Sequence, residues 1–210
     1  MKNSTINYYD LNAQKYSDST IVAEVSEQLQ GFCSKLKPNA KILDVGCGSG
    51  RDSLYFINNG FNVVAIDASE NLAKLASEII KQNVFVSSIE GLKIENEFDG
   101  VWCMASLLHL KKEVLPLAIK NCIKSLNENE RGLFFASFKI GNGESYDENG
   151  RVFSYYQPDE LTDILDKTGY FSSIDLNISE DKMGRGNNWV SFVAQKKPNL
   201  TFEKKIKNTF

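Results

Sequence analysis

Residues 41–50 read Lys-Ile-Leu-Asp-Val-Gly-Cys-Gly-Ser-Gly, an apolar run that breaks into glycines at alternate positions, Gly46, Gly48 and Gly50. The apolar run predicts a buried strand. The glycines predict a turn whose backbone amides approach a ligand, because glycine lacks a Cβ and tolerates positive φ. A second apolar run, residues 63–66, also ends in an acid, Asp67. Together they predict a nucleoside pocket at the carboxyl ends of two neighbouring parallel strands.

This glycine turn has three other interpretations. A dinucleotide-binding turn requires G-x-G-x-x-G, but Arg51 occupies the third glycine position and Gly50 arrives one residue early. A P-loop requires Gly-Lys-Ser/Thr, which does not follow. A tight strand-to-helix turn without a ligand is the third, although three glycines cost roughly 0.5–1 kcal/mol each in backbone entropy.

Residues 44–50 resemble the D/E-x-G-x-G-x-G motif of class I S-adenosylmethionine-dependent methyltransferases. Residues 65–69, Ala-Ile-Asp-Ala-Ser, resemble the second motif of that family. The resemblance extends from about Tyr8 to Phe138. It implies S-adenosyl-L-methionine as the cofactor and S-adenosyl-L-homocysteine as the product. It also implies an α/β fold, a three-layer Rossmann-like arrangement with a seven-stranded, mostly parallel sheet, helices on both faces and an antiparallel last strand.

The periodicity of apolar residues predicts the elements of this fold. Helices are expected at residues 21–36, 52–59, 70–82, 112–126 and 158–167, and strands at 42–45, 63–67, 84–86, 98–104, 132–138, 171–177 and 189–195. Gly60 is expected to end the second helix and Ser69 to cap the third, and residues 141–153 are expected to form a surface loop. The order βαβαβαβαβ up to residue 138 requires right-handed crossovers and a parallel sheet covered on both faces. We expect one domain with a helical cap (1–40), a core (41–198) and a tail (199–210).

The cofactor residues follow partly from position and partly from the resemblance. Asp67 can accept both ribose hydroxyl hydrogens, or can simply place a charge at a helix N-terminus. The resemblance implies that Asp44 reaches toward the amino-acid part of the cofactor and that Gly46 and Gly48 let the backbone pass it. Many relatives place an acid where this chain has Ser88, next to Ile89, which can pack on adenine. The rest of the predicted set is Tyr16, Cys47, Arg51, Ala68 and Met104.

Two of these residues have an alternative role. Residues 8–16 resemble the Y-D-x-x-A-x-x-Y opening of small-molecule methyltransferases, which implies that they fold over the pocket and that Tyr16 meets the methionine end of the cofactor. Alternatively, Tyr8, Tyr9 and Tyr16 lie on one face of a helix and pack into the core. Arg51 can pair with the cofactor carboxylate or be an exposed arginine at a helix start.

A sulfonium methyl group is already electrophilic, so alignment of the reacting atoms is the main requirement and can supply about 7–11 kcal/mol. A general base helps only where the nucleophile carries a proton. His109, the only histidine, follows the fourth strand and is a candidate base, or else a packed histidine. The predicted acceptor-binding residues are Lys139, Arg151, Tyr155, Tyr156, Arg185 and Trp189. The arginines can bind an anionic substrate or be solvated loop cations, and the aromatics can stack on a planar substrate or cover the core.

The 210 residues carry a net charge of −3, with 42% hydrophobic and 24% charged residues, which is typical of one globular domain. This charge argues against a nucleic-acid partner. The sequence has no 18-residue apolar run and no signal-peptide core, so we expect a cytoplasmic protein without a membrane partner. One histidine and four cysteines without a C-x-x-C pair argue against a metal site.

We therefore predict a methyltransferase that moves a methyl group to a small-molecule acceptor by in-line displacement. One alternative is an RNA or tRNA-base methyltransferase that uses a basic stripe at residues 196–207. The other is a non-catalytic module that binds the cofactor and supports a partner. Monomer and homodimer both remain open.

Overall fold

The computed structural model describes residues 3–22, 26–128, 131–180, 186 and 188–198. The helices are α1 (Ser4–Leu11), α2 (Ala13–Thr20), α3 (Ser26–Cys33), α4 (Arg51–Asn58), α5 (Glu70–Ile80), α6 (Leu115–Ser125) and α7 (Pro158–Thr168). The strands are β1 (Lys41–Val45), β2 (Asn62–Asp67), β3 (Val84–Val86), β4 (Gly100–Cys103), β5 (Leu133–Lys139), β6 (Glu144–Tyr146), β7 (Val152–Ser154), β8 (Phe171–Glu180) and β9 (Asn188–Lys196).

Seven strands form one sheet in the order β3-β2-β1-β4-β5-β9-β8. The first five strands are parallel, and β9 runs antiparallel to both β5 and β8. The predicted sheet of seven mostly parallel strands with an antiparallel last strand is confirmed. The chain order reverses direction between β1 and β4, and ligands bind at such a switch point in open α/β sheets.

Both faces of the sheet are covered, as predicted, because side chains alternate along each central strand. In β1, Leu43 and Val45 belong to the largest core cluster, whereas Ile42 belongs to a second cluster. In β4 the same alternation places Val101 in the first cluster and Trp102 in the second. The first cluster includes buried residues of α6 and α7, and the second includes buried residues of α3 and α4. The sheet therefore lies between two helical layers.

Several helix ends agree with the sequence. Ser69 caps α5, and its hydroxyl accepts a hydrogen bond from the Leu72 amide at 3.2 Å. Gly60 follows α4 with a φ of +83°. α5 ends at Ile80 rather than residue 82, because Lys81 adopts a left-handed conformation with a φ of +57°.

The predicted helix at 21–36 is wrong in extent. α2 ends at Thr20, Val22 is 83% exposed, and the next helix is only Ser26–Cys33. The hydroxyls of Ser19 and Thr20 donate to the Tyr16 carbonyl at 2.8 Å each, which occupies an oxygen at the end of α2. Such local side-chain bonds compete with helix continuation.

Two further predictions need correction. Residues 141–153 are not simply a surface loop, because β6 and β7 pair antiparallel within and beyond them, and Val152 and Phe153 are buried. The connection between β3 and β4 holds only a single 3-10 turn, Ile89–Gly91, and no α-helix, so the alternation of strands and helices is incomplete. The predicted tail at 199–210 lies outside the described residues, and the division into cap, core and tail stays a prediction.

No helix among the described residues is both long and apolar enough to cross a membrane.

Candidate active site

Two adjoining clefts open at the carboxyl edge of the sheet, beside the switch point between β1 and β4. The first cleft is lined by residues that follow β2 and β3, and the second by residues of α4, β5 and β9. Six residues line both clefts and so mark their junction: Tyr9, Tyr16, Gly46, Gly48, Ala105 and His109.

The glycine turn after β1 forms the floor of this junction. Gly46 and Gly48 have φ values of +70° and +57°, in the left-handed region that disfavours other residues. A Cβ on Gly46 would lie 2.5 Å from the Ser106 Cβ, and a Cβ on Gly48 would lie 3.2 Å from the Tyr16 ring. The turn therefore needs glycine both for its conformation and for the close approach of its neighbours.

Asp67 ends β2 and is buried in the first cleft. Its Oδ2 accepts from the Gly48 amide at 2.9 Å, and its Oδ1 accepts from the Ser69 amide at 2.8 Å. Burial raises the pKa of Asp67, and these two backbone donors oppose the rise. The Ala68 amide also lowers the pKa of Asp67, so the carboxylate is held against the glycine turn by backbone donors. Two carboxylate oxygens accept about four hydrogen bonds in all, which leaves capacity for a ligand.

The other predicted residues of the first cleft surround Asp67. Ala68 and Ser88 line it, together with the buried side chain of Ile89 from the 3-10 turn. Leu72 and Leu107 add apolar surface that the sequence analysis did not predict. The first cleft therefore combines one carboxylate with apolar walls, an arrangement that suits a nucleoside.

A chain of polar contacts lies at the α4 end of the second cleft, with Asp44 at its base. Asp44 is buried and accepts from the Ser53 hydroxyl at 2.6 Å. Burial, and then the nearby carboxylate of Asp52, raise the pKa of Asp44. Asp52 itself accepts from the Trp102 indole at 2.8 Å and from the Arg51 Nε at 2.7 Å. A buried acid with a raised pKa is well placed to receive a cationic group.

Arg51 and the remaining predicted cofactor residues share this cleft. The Arg51 side chain is only 21% exposed, so the alternative of an exposed arginine at a helix start is wrong. Cys47 and Met104 line the same cleft. Sequence reasoning missed Asp52 and Gln28 here, although the position of Asp52 directly after the glycine turn could have indicated it.

The amino-terminal helices lie across the junction. Tyr9 and Tyr16 pack edge to face with ring centroids 5.0 Å apart, and the Tyr9 hydroxyl lies 2.8 Å from His109 Nε2. Asp10 Oδ1 accepts from the Ser69 hydroxyl at 2.6 Å and from the Asn71 amide at 3.2 Å. Tyr9 was missed as a site residue, although it stands in the same Y-D-x-x-A-x-x-Y segment as Tyr16.

The far end of the second cleft is aromatic and basic. Three of the predicted acceptor-binding residues, Lys139, Arg151 and Trp189, line it, together with Phe153 and Ser137, which were not predicted. The Lys139 ammonium lies 4.1 Å from the centre of the Phe153 ring. The Arg151 guanidinium lies 4.4 Å from the Tyr8 ring centre and pairs with Asp147 at 2.7 Å. Because Arg151 is paired and only 22% exposed, it is not a freely solvated loop cation.

Two predicted acceptor-binding residues lie elsewhere. Tyr155 and Tyr156 line neither of the two clefts, and Tyr156 takes the alternative role of an aromatic that covers the core. Tyr156 is 1% exposed within the first core cluster, against Phe138, and the Tyr155 hydroxyl lies 3.2 Å from the Ser145 hydroxyl within the β6–β7 hairpin. The prediction for Arg185 falls outside the described residues. Within the described ranges, no group of three or more His, Cys, Asp or Glu could hold a metal ion.

The sequence is similar to methyltransferases, in agreement with the geometry of the two clefts. The family described as "Methyltransferase domain" matches residues 42–129. A probable S-adenosyl-L-methionine-dependent methyltransferase, TehB, of Haemophilus influenzae is 26% identical over 209 residues, covering 92% of this chain and 70% of that protein. A ubiquinone biosynthesis O-methyltransferase of Rickettsia bellii is 28% identical over 169 residues, covering 68% of each.

A solved structure shares the fold. It is the 1,6-didemethyltoxoflavin-N1-methyltransferase of Burkholderia thailandensis with bound 1,6-didemethyltoxoflavin and S-adenosylhomocysteine. It superimposes with a TM-score of 0.70 at 21% identity, covering 91% of this chain and 88% of that one. The matched domain, the relatives and the glycine turn beside Asp67 show that the protein is an S-adenosylmethionine-dependent methyltransferase with S-adenosyl-L-methionine as its cofactor, and its sheet has the Rossmann-like fold of such enzymes.

Proposed function

We propose that the enzyme methylates a small molecule, with the adenosine part of the cofactor in the first cleft and the acceptor in the second. The observation that carries this proposal is that the two clefts meet at one junction, lined by Gly46, Tyr9 and His109. A donor and an acceptor bound in adjoining clefts are held within reach of each other, which is the main requirement of this chemistry.

Asp67 is the proposed ribose ligand. Its backbone partners fix both oxygens and leave lone pairs toward the cleft, so that it can accept from two adjacent hydroxyls. Ile89 and Leu107 supply apolar surface on which adenine can rest, and Ser88 takes the place of the acid that would accept from the adenine amine. A hydroxyl accepts more weakly than a carboxylate, so we expect most of the adenosine affinity to come from Asp67 and apolar contact.

Arg51 and Asp44 are the proposed ligands of the methionine end. The guanidinium of Arg51 can pair with the carboxylate of the cofactor, and Asp52 orients it through the Nε contact. Asp44, buried beside the glycine turn, can pair with the ammonium group. A charged ammonium beside Asp44 offsets the burial cost of its carboxylate, so the residues present fit an amino-acid moiety.

The cofactor supplies a methyl group on a positively charged sulfur. The protein then has to align the acceptor, exclude water and leave the path between the clefts open. The glycine turn adds no side chain of its own to that path, because Gly46 and Gly48 contribute backbone only, and the space beside them holds the side chains of Ser106 and Tyr16. Tyr9 and Tyr16 cover the junction from the amino-terminal side and limit the access of water.

The far end of the second cleft suits a compact acceptor with an aromatic or anionic part. Phe153 and Trp189 offer ring surface, and Lys139 and Arg151 bring positive charge to the same wall. The similar proteins act on small molecules, according to their names, in ubiquinone biosynthesis and on 1,6-didemethyltoxoflavin. These likenesses support a small-molecule acceptor, and the acceptor itself is to be found by screening.

The assignment of Asp67 is tested by Asp67→Ala, measured by calorimetric titration with S-adenosylmethionine and S-adenosylhomocysteine. Each lost hydrogen bond to the charged oxygen is worth about 1.5–3 kcal/mol, so we expect affinity to fall at least roughly tenfold. Asp163→Ala in α7 removes the same charge from an exposed site outside both clefts and serves as the control. Equal affinity in Asp67→Ala and wild type would refute the ribose assignment.

The acceptor class is tested with S-adenosylmethionine carrying a labelled methyl group, incubated with a low-molecular-weight metabolite fraction and, separately, with total RNA. Label in a low-molecular-weight product supports the proposal. Label in RNA alone would replace it with the RNA methyltransferase alternative. Cofactor binding without transfer to either fraction would favour a non-catalytic module.

A further inference from the structure

Both ring nitrogens of His109 have a partner. Nδ1 lies 2.8 Å from the carbonyl oxygen of Val152, and Nε2 lies 2.8 Å from the hydroxyl of Tyr9. A carbonyl oxygen can only accept, so Nδ1 must carry a proton. In the neutral ring Nε2 then has a lone pair and accepts the hydrogen of Tyr9. The contacts therefore select one tautomer.

The surroundings of the ring oppose a second proton. His109 packs against the rings of Tyr9 and Phe153, and the charged groups that face it are Arg151, Lys139 and Asp147. Burial lowers the pKa of His109 to about 4. The Val152 carbonyl opposes this shift, and the positive charges of Arg151 and Lys139 add to it. A base on this ring would have to accept a proton between two cations.

The Tyr9–His109 contact belongs to a larger set of bonds that fasten α1 to the β6–β7 hairpin. The Ser4 hydroxyl donates to the Gly150 carbonyl at 2.7 Å, and the Val152 amide donates to the Thr5 hydroxyl at 3.0 Å. Of these three bonds, only the one made by Tyr9 reaches the junction of the clefts, since Thr5 lines the first cleft alone and Ser4 lines neither. His109 thus connects the α1 helix, the turn after β4 and strand β7.

We propose that His109 is a positioning residue and not the general base. Its neutral ring holds the Tyr9 hydroxyl over the junction and so fixes α1 across the bound cofactor. The proposal rests on the proposed function, because it takes the junction to be the place of methyl transfer. With its proton committed to His109, the Tyr9 hydroxyl has only lone pairs left, and one of them accepts from the Arg151 side chain.

The tautomer can be read directly, because His109 is the only histidine in the chain. In ¹⁵N NMR of the untagged protein, all imidazole signals arise from this one ring. We expect a protonated Nδ1 and an unprotonated Nε2 from pH 8 to pH 5, with and without S-adenosylhomocysteine. A protonated Nε2, or an imidazolium already formed at pH 6, would overturn the proposal.

The positioning role is tested by the rate at which S-adenosylhomocysteine leaves the enzyme, in Tyr9→Phe, His109→Ala and His109→Gln. Loss of this partly buried hydrogen bond should speed release roughly 5- to 100-fold in the first two variants. In the double variant Tyr9→Phe/His109→Ala the effects of the two substitutions should be clearly less than additive, because both remove the same contact. Glutamine has one acceptor and one donor, and His109→Gln should recover most of the loss.

Release rates that are unchanged in Tyr9→Phe, or additive in the double variant, would overturn the positioning role. So would a His109→Gln variant as fast as His109→Ala while circular dichroism shows both folded. If the wild-type protein binds no S-adenosylhomocysteine, the proposed function fails. The NMR measurement of the His109 tautomer then still tests whether the ring can act as a base, because it requires no ligand.

Discussion

Gly46→Ala is the substitution that most directly tests the close packing of the glycine turn. An alanine at this position would have to keep a φ of +70°, which costs an L-residue roughly 1–2 kcal/mol. It would also lie 2.5 Å from the Ser106 Cβ, and relief of such overpacking costs about 1–3 kcal/mol. We therefore expect the free energy of unfolding to fall by about 2–5 kcal/mol, measured by urea denaturation.

Gly60→Ala separates these two contributions. Gly60 has a φ of +83°, but a Cβ there would meet no atom within 4 Å. This control should lose only the conformational part, about 1–2 kcal/mol. The difference between the two variants then measures the contact with Ser106.

The second control is the double variant Gly46→Ala/Ser106→Gly, compared with Ser106→Gly alone. Removing the Ser106 Cβ leaves its Cα 3.7 Å from the new methyl group, which is ordinary contact distance. The double variant should therefore recover about 1–3 kcal/mol of the loss. Equal losses in Gly46→Ala and Gly60→Ala, without recovery in the double variant, would refute the proposed close approach of the β1 and β4 ends.

Two further predictions concern protons. Because burial raises the pKa of Asp44, binding of the cofactor ammonium beside it should release the proton of this carboxyl at neutral pH. The release is measured by calorimetric titration in buffers of different ionisation enthalpy. It should be absent in Asp44→Asn. For His109, the pKa is lowered from its usual value near 6.5 to about 4, so the unfolded chain binds a proton first as the pH falls. The free energy of unfolding should therefore drop by about 3 kcal/mol between pH 6.5 and pH 4 through this residue. This drop is measured in urea denaturation as the difference between wild type and His109→Gln. Identical pH profiles in the two proteins would contradict a neutral, largely desolvated ring.

The sequence predicts most of the sheet and the cofactor side of the site, because both depend on short-range patterns. The glycine turn, the acid that ends β2 and the Ser69 cap each occupy a few consecutive residues. Strand β1 is likewise recognised from its consecutive apolar residues alone, because its side chains are buried on both faces of the sheet. Such local signals survive in a single sequence because the surrounding fold does not override them.

The acceptor side could not be predicted in the same way, because it depends on contacts between distant residues. Strand β6 is exposed throughout and shows no apolar alternation, and β7 is buried where Thr5, 147 residues away, bonds to Val152. Tyr155 and Tyr156 are adjacent and both aromatic, and only the packing of β5 and the hairpin decides that Tyr156 enters the core. Likewise, nothing near His109 in the sequence indicates Tyr9, 100 residues earlier, as its partner.

The two tryptophans give the enzyme one optical reporter in the wall of the second cleft, Trp189, and one in the core behind it, Trp102. The Trp102 indole, stacked 3.8 Å from Phe135, donates to Asp52 and thereby senses the carboxylate that holds Arg51. Trp189 lines the cleft wall where the acceptor is proposed to bind. In Trp189→Phe the remaining fluorescence reports the methionine end alone, and the difference from wild type reports the acceptor end. Order of substrate binding can thus be followed in real time without a label.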